Sequence, residues 1–250
     1  MKKPNQIRLN FIFLMFAFMT APAFASEPDP ATDLDNKFSI NLSSELVSRY
    51  VWRGSAEDMH PHLQGSLLLN YGNLSFEAWG TSGLTSGFSE IDLVLAYQAG
   101  PLAFAITDYF VFNDQDLPNA KFFNYKTKDD EWTNHAIEGS VVYDGSDAFP
   151  IMVTAGTFFF GNDKDADNKN LYSTYLEMAY QTVWKNYDIL FFLGGTTHKG
   201  LYADNAAITN VGMKTVRTVK MNENLKLALS SSLIVNPDLK HVFLVFGIGL

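Results

Sequence analysis

Glu45, Arg49 and Arg53 recur at intervals of four within residues 38–53, a stretch in which apolar and polar residues alternate. Even spacings place side chains on one face of an extended strand. The same polar parity of later alternating segments carries Glu77, Glu90, Asp92, Glu138, Glu177 and Lys214, with Asp188 and Lys226 near segment ends. Opposed carboxylates and cations around an aqueous passage set up a transverse field that selects solutes by charge. In a narrow, water-poor interior the same groups pair and neutralise one another, because a charge withdrawn from water requires a partner. Both readings make these residues lumen-lining candidates.

Three other groups of residues have types suited to chemistry. Asp108, His135 and Thr157 fall on the opposite, apolar parity of neighbouring segments, where a carboxylate, an imidazole and a hydroxyl could serve as orienter, base and nucleophile. Threonine replaces the serine such a set usually carries, and a position in a headgroup zone explains the polar pair as well. His60 and His62 flank Pro61 at a spacing a metal could use, but no third ligand accompanies them. Asp163, Asp165 and Asp167 alternate as at the start of a calcium loop, yet Asn168 stands where that loop needs glycine and Thr174 where it needs a bidentate glutamate. An acidic surface loop is expected, with weak divalent bridging to lipopolysaccharide phosphates as its only metal chemistry. No catalytic set, resident metal or cofactor is expected, and the chain is not read as an enzyme.

These side chains need strands to position them. In residues 38–53, Phe38, Ile40, Leu42, Leu46, Tyr50 and Trp52 occupy one parity, and Asn41, Ser43, Glu45, Arg49 and Arg53 the other. Period-two alternation gives a strand with one apolar and one polar face. Eleven further segments repeat it, of which 209–213 is the weakest. The apolar parity carries almost no charge, as hydrocarbon requires. The polar parity is rich in Ser, Thr, Ala, Gly and Asn rather than in the Lys and Glu of a soluble sheet surface. The expected fold is all-β, a transmembrane antiparallel up-and-down barrel of about 12 strands; a soluble barrel or sandwich is the alternative. Long connections near 54–61, 82–88, 113–132, 161–171, 196–206 and 236–240 alternate with shorter ones near 72–73, 99–101, 144–150, 181–186 and 217–224, as in outer-membrane barrels. Tyr50, Trp52, Tyr71, Tyr97, Tyr143, Tyr180 and Tyr187 lie at segment ends, where interfacial girdles form. By parity Val47, Leu68, Trp79, Val94, Phe158, Phe160, Phe192 and Phe243 also point inward, so a narrow or partly plugged lumen is expected.

Composition sets the compartment. Of 250 residues, 47% are hydrophobic and 18% charged, and there is no cysteine. Disorder is thereby excluded, as are disulfides and lipoprotein acylation. The formal charge of −9 argues against nucleic acid, whose phosphates need a basic footprint. Lys2, Lys3 and Arg8 precede an apolar run at 11–19 and the small-residue site Ala23-Phe24-Ala25. Residues 1–25 are read as a cleaved Sec-type signal peptide, 26–37 as a short N-terminal segment and 38–250 as the barrel.

The resemblance that emerges is to the TorF-type family of outer-membrane porins of Gram-negative bacteria. It rests on Ser48-Arg49-Tyr50-Val51-Trp52-Arg53-Gly54, Pro61-His62-Leu63-Gln64-Gly65, Ala78-Trp79, Glu90-Ile91-Asp92-Leu93, Thr107-Asp108-Tyr109 and Ser173-Thr174-Tyr175-Leu176-Glu177, and extends to the terminal strand. Leu250 departs from the terminal Phe that favours barrel assembly. The resemblance implies a bacterial outer-membrane barrel with a channel role. Its expected partners are outer-membrane lipids and lipopolysaccharide, a small polar or charged solute and the barrel-assembly machinery. A non-conducting scaffold and an outer-leaflet lipid-modifying enzyme are the competing functions.

Overall fold

The structure is a computed structural model that describes residues 38–127, 132–146, 148–223 and 225–250. The expected signal peptide and the 26–37 segment lie outside the described residues.

Twelve strands form a closed antiparallel barrel: β1 (Phe38–Val47), β4 (His62–Tyr71), β5 (Leu74–Gly83), β6 (Phe88–Ala99), β7 (Leu102–Asn113), β8 (His135–Tyr143), β9 (Met152–Gly161), β10 (Thr174–Trp184), β11 (Tyr187–Thr196), β12 (Ala207–Lys220), β13 (Lys226–Asn236) and β14 (His241–Gly249). Each strand pairs with its sequence neighbour in the wall, and β14 returns to β1 through Glu45↔Gly249, Leu46↔Ile248 and Val47↔Gly247. Closure leaves no full-length sheet edge. Each expected segment corresponds to one barrel strand, and the weakest, 209–213, lies in the first half of the longest, β12.

Alternation fixes the two faces. Leu42 is 76% exposed on the outside while Glu45 is 3% exposed on the inside. Ile40, Leu63, Leu95, Phe104, Ile106, Met178, Leu244 and Phe246 join Leu42 on an outward apolar band. A soluble monomer rarely leaves so continuous an apolar surface uncovered. Short and long connections alternate along the chain. At one end lie 72–73, 100–101, 185–186 and 221–225, with 144–151 the longest, because β10 and β12 run on to Trp184 and Lys220. At the other end lie 114–134, 162–173 and 197–206, together with two short connections at 84–87 and 237–240.

Two features depart from expectation. The first strand does not continue to Arg53: the chain leaves the wall after Val47 and forms an inner hairpin of β2 (Tyr50–Trp52) and β3 (Ser55–Asp58). Its two-residue turn, Arg53-Gly54, has φ of 47° and 82°, the double positive φ of the turns that suit tight hairpins. Tyr50 and Trp52 therefore leave the expected girdle and sit inside, whereas Tyr71, Tyr97 and Tyr180 are outwardly exposed near the short-turn end. Second, a bulge in β8–β9 pairs Ile137 with Phe160 but Glu138 with Phe158. Paired residues share a face, so Phe160 turns outward with Ile137. The other seven apolar residues expected inside are buried there, from Phe158 at 2% to Leu68 and Phe192 at 8% exposure.

Candidate functional site: a hairpin-filled lumen

The inner hairpin divides the lumen. One flank is apolar: Val51 and Ala56 pack on a cluster of Met152, Ala179, Phe192, Ile234 and Phe243 from β9 to β14. On the other flank the Tyr50 ring lies 5.8 Å from Trp79, 5.6 Å from His62 and 5.9 Å from Phe88. The turn is wedged against β12 and β13. Asn236 Nδ2 donates to Gly54 O at 3.0 Å, and a Cβ on Gly54 would lie 1.9 Å from Thr209 O, so only glycine fits.

Arg53, at the tip, forms the centre of a polar network. Its Nη1 and Nη2 donate to the two oxygens of Glu138 at 2.7 and 2.8 Å, a bidentate geometry. Its guanidinium lies 4.6 Å from the Trp52 and Tyr175 ring centroids, and Nη1 also donates to Tyr202 Oη from the 197–206 connection. Tyr109 Oη donates to Glu138 Oε2 at 2.9 Å. Burial alone would lower the Arg53 pKa, but the Glu138 carboxylate, with Tyr202 and Tyr109, holds it well above its usual value. Beside this network Tyr175 Oη and Asn210 Nδ2 both donate to Glu177 Oε2, the latter at 2.8 Å. A cavity of ≈ 120 Å³ remains below the hairpin, bounded by Arg53, Glu138, Glu177, Asn210 and Lys214. That is room for several waters, and for a small solute at most.

Seven of the expected wall positions face inward, while Asp188 and Lys226 lie exposed at strand ends. Glu45, Glu77, Glu90, Asp92, Glu138 and Glu177 are 1–7% exposed, and Lys214 borders the cavity. Glu45 accepts from Ser230 Oγ at 2.6 Å across β14, where Gly247 leaves the room: a Cβ there would lie 2.2 Å from Glu45 Oε1. The two arginines are not strand residues of the wall. Arg49 lies in the link between β1 and β2, its Nε buried and unpaired, and Arg53 lies in the hairpin turn. Of the expected lumen charges, Arg53 and Glu138 are brought together as an ion pair and neutralise each other.

Sequence reasoning missed the hairpin anchor. Asp58 accepts from His60 Nδ1 at 2.7 Å, from the His60 backbone N–H at 3.0 Å and from Ser86 Oγ, and its Oδ2 lies 3.0 Å from His62 Nε2. His62 Nδ1 lies 2.9 Å from Thr81 Oγ1. Burial raises the Asp58 pKa, yet the hydrogen bonds from Ser86, His60 and His62 together hold it far below the carboxylate range. The spacing of the two histidines serves a shared carboxylate. Among the described residues no group of three His, Cys, Asp or Glu is placed to hold a metal.

The outward polar residues are brought together only in part. His135 Nδ1 lies 2.8 Å from Asp108 Oδ1, and Tyr125 Oη donates to Asp108 Oδ2 at 2.8 Å. Residues Phe122 to Tyr125 of the connection after β7 fold back over the outer wall here. Its Tyr125 ring stacks on His135 with centroids 4.0 Å apart, and Phe122 O takes the Nε2 side of the imidazole at 2.5 Å. Burial and the Asp108 bond push the Tyr125 hydroxyl up to about 12. Thr157 pairs with Gly139, four residues along β8 from His135, and bonds Thr174 Oγ1 at 2.9 Å instead. The carboxylate and imidazole clasp a loop, and the hydroxyl is elsewhere. In the acidic loop, Asp163 is buried by bonds from Ser173 N and Oγ at 2.8 and 2.6 Å, and Asp165 accepts from the Asp167 and Lys169 backbone. Compared with known families and characterised proteins, the chain matches no family model and no curated sequence.

Proposed function

We propose that the chain is an outer-membrane barrel that passes small polar or charged solutes at a low rate through a lumen constricted by its own first long connection. The observation that carries this reading is the double face of the wall: an apolar exterior, with Asp108 and Arg217 as charged exceptions toward strand ends, and a carboxylate-rich interior on the same twelve strands. Lipid outside and water inside satisfy both faces at once. Outer-membrane lipids and lipopolysaccharide are then its surroundings, and the barrel-assembly machinery its insertion route. Twelve strands lie between barrels filled by side chains and those with wide channels, and the β2–β3 hairpin occupies most of the difference. Conduction requires water to pass the hairpin, whose tip is fastened through Arg53 and Glu138.

A specific observation favours a second reading. The hairpin is anchored at both flanks and at its tip, which suits a sealed barrel that acts as a scaffold. Planar-bilayer recording separates the two. The channel reading expects small conductance from the folded protein and a several-fold larger one after Arg53→Ala with Glu138→Ala. Silence from both proteins, each verified as a folded barrel, overturns the channel reading and leaves the scaffold.

A further inference from the structure

Three buried polar atoms without a hydrogen-bond partner gather on one stretch of the inner wall, beside Tyr50. Gln64 of β4 pairs with Thr81 of β5, Thr81 pairs with Glu90 of β6, and Trp79 pairs with Asp92, so these side chains occupy adjoining inward positions. Gln64 Oε1, Trp79 Nε1 and Asp92 Oδ1 are shielded from solvent and unpaired, and Tyr50 Oη, whose ring packs on Trp79, faces Glu90 beside them. All four residues are 2–4% exposed. Native interiors leave few polar atoms in this condition, and a group of them implies a polar occupant.

The chemistry of the cluster restricts that occupant. Glu90 and Asp92 lie two apart on β6, share the inner face, and enter none of the ion pairs formed between described residues. Two adjacent buried carboxylates relieve their repulsion by holding a proton between them or by taking up positive charge, and a doubly charged ion balances both once that proton is displaced. The atoms available are oxygens, from Glu90, Asp92, Gln64 Oε1 and Tyr50 Oη, because both nitrogens of the neighbouring His62 are engaged by Asp58 and Thr81. An all-oxygen set selects hard cations. Trp79 Nε1–H can only donate, so it needs an acceptor that a bare cation is not and a cation-bound water is. Since no three acidic or imidazole groups converge among the described residues, the ion keeps much of its hydration shell.

We propose that this part of the lumen binds a hydrated divalent cation, Ca²⁺ or Mg²⁺, between Glu90 and Asp92, with Gln64 and Tyr50 completing the oxygen cage and Trp79 donating to a cation-bound water. The inference deepens the channel reading by naming the charge class the lumen takes up. Binding needs no conduction, so it is measured on the folded barrel in a zwitterionic detergent free of lipopolysaccharide, and its failure is distinguishable from failure of transport. The sequence has four tryptophans, and Trp79→Phe assigns the Trp79 indole N–H resonance in ¹H–¹⁵N spectra. Titration with CaCl₂ or MgCl₂ at constant ionic strength is expected to shift that resonance saturably by ~1 mM, the range of weak oxygen-ligand sites. The shift should be lost in Asp92→Asn and in Glu90→Gln, and kept in Asp165→Asn of the acidic loop. No saturable shift in the parent protein overturns the proposal. So does a shift that survives in folded Asp92→Asn or is abolished by Asp165→Asn. Should neither inner-wall variant fold, competition decides: an equal concentration of KCl displacing the Ca²⁺ response also overturns it, and persistence of that response supports it.

Discussion

At the scale of residues, the ion pair between Arg53 and Glu138 fixes the hairpin, and its partners explain why it tolerates burial. The guanidinium is 14% exposed and the carboxylate 2%, and Tyr109, Tyr202, Trp52 and Tyr175 supply the hydrogen bonds and ring faces that water would otherwise provide. Removing one partner of such a pair leaves the other charge uncompensated, at a cost of about 3–5 kcal/mol. Glu138→Gln is therefore expected to lower unfolding stability by that order in urea titrations in detergent, and Arg53→Lys by less, because lysine keeps the charge and loses the fork. Asp58 gives a pH prediction. Its folded pKa is depressed, so its contribution is present above the unfolded value of ~3.9 and is lost as pH falls from there toward the folded value. Thermal stability should drop over that acid range in the parent protein, and Asp58→Asn should start lower and flatten the drop. The six inward carboxylates were legible from parity alone. The role of Asp58 was not, because nothing in Asp58-Met59-His60-Pro61-His62 separates two histidines on one carboxylate from two histidines on a metal.

At the scale of elements, strands were readable and their ends were not. Alternation continues unbroken from Phe38 to Arg53, so the pattern reads as one strand, although only Phe38–Val47 belongs to the wall. Two signals in the sequence mark the break. A run of sixteen exceeds the ~9–11 residues a spanning strand needs, and Arg53-Gly54 is suited to a positive-φ hairpin turn. The β8–β9 bulge has no such signal, since it exists only in the pairing of two strands, and Phe160 was misplaced for that reason. The outward band supports a depth-dependent prediction. Leu42→Arg, near the middle of the β1 face that lipid would cover, should destabilise the folded barrel by ~2–4 kcal/mol in bilayers. Ser43→Arg, one residue on and facing inward, should instead act through crowding of Ser66, with which Ser43 bonds at 3.1 Å, and show no dependence on lipid thickness. Folding titrations in lipids of two chain lengths check the contrast.

At the scale of the molecule, closure of β14 onto β1 makes one surface outside and another inside, and the proposed function requires the outer one to meet hydrocarbon. Strand count, order and which parity faces inward were all legible, because period two and the scarcity of charge on one parity hold across the twelve segments. The filling of the lumen was only partly legible: inward Phe and Trp pointed to a narrow interior, but a plug made by the chain's first long connection depends on contacts between Arg53 and Glu138, 85 positions apart. The absence of cysteine makes site-directed spin labelling clean. Single nitroxides at Leu42, Leu67, Glu45 and Gln64 of the bilayer-reconstituted protein, read by collision with oxygen and with a water-soluble nickel chelate, test the central claim most directly. Labels at Leu42 and Leu67 should meet oxygen freely and exclude nickel, while those at Glu45 and Gln64 should be shielded from lipid-dissolved oxygen. Nickel reaching Leu42 and Leu67 as readily as it reaches a loop label would contradict the account, for the apolar band would then face water.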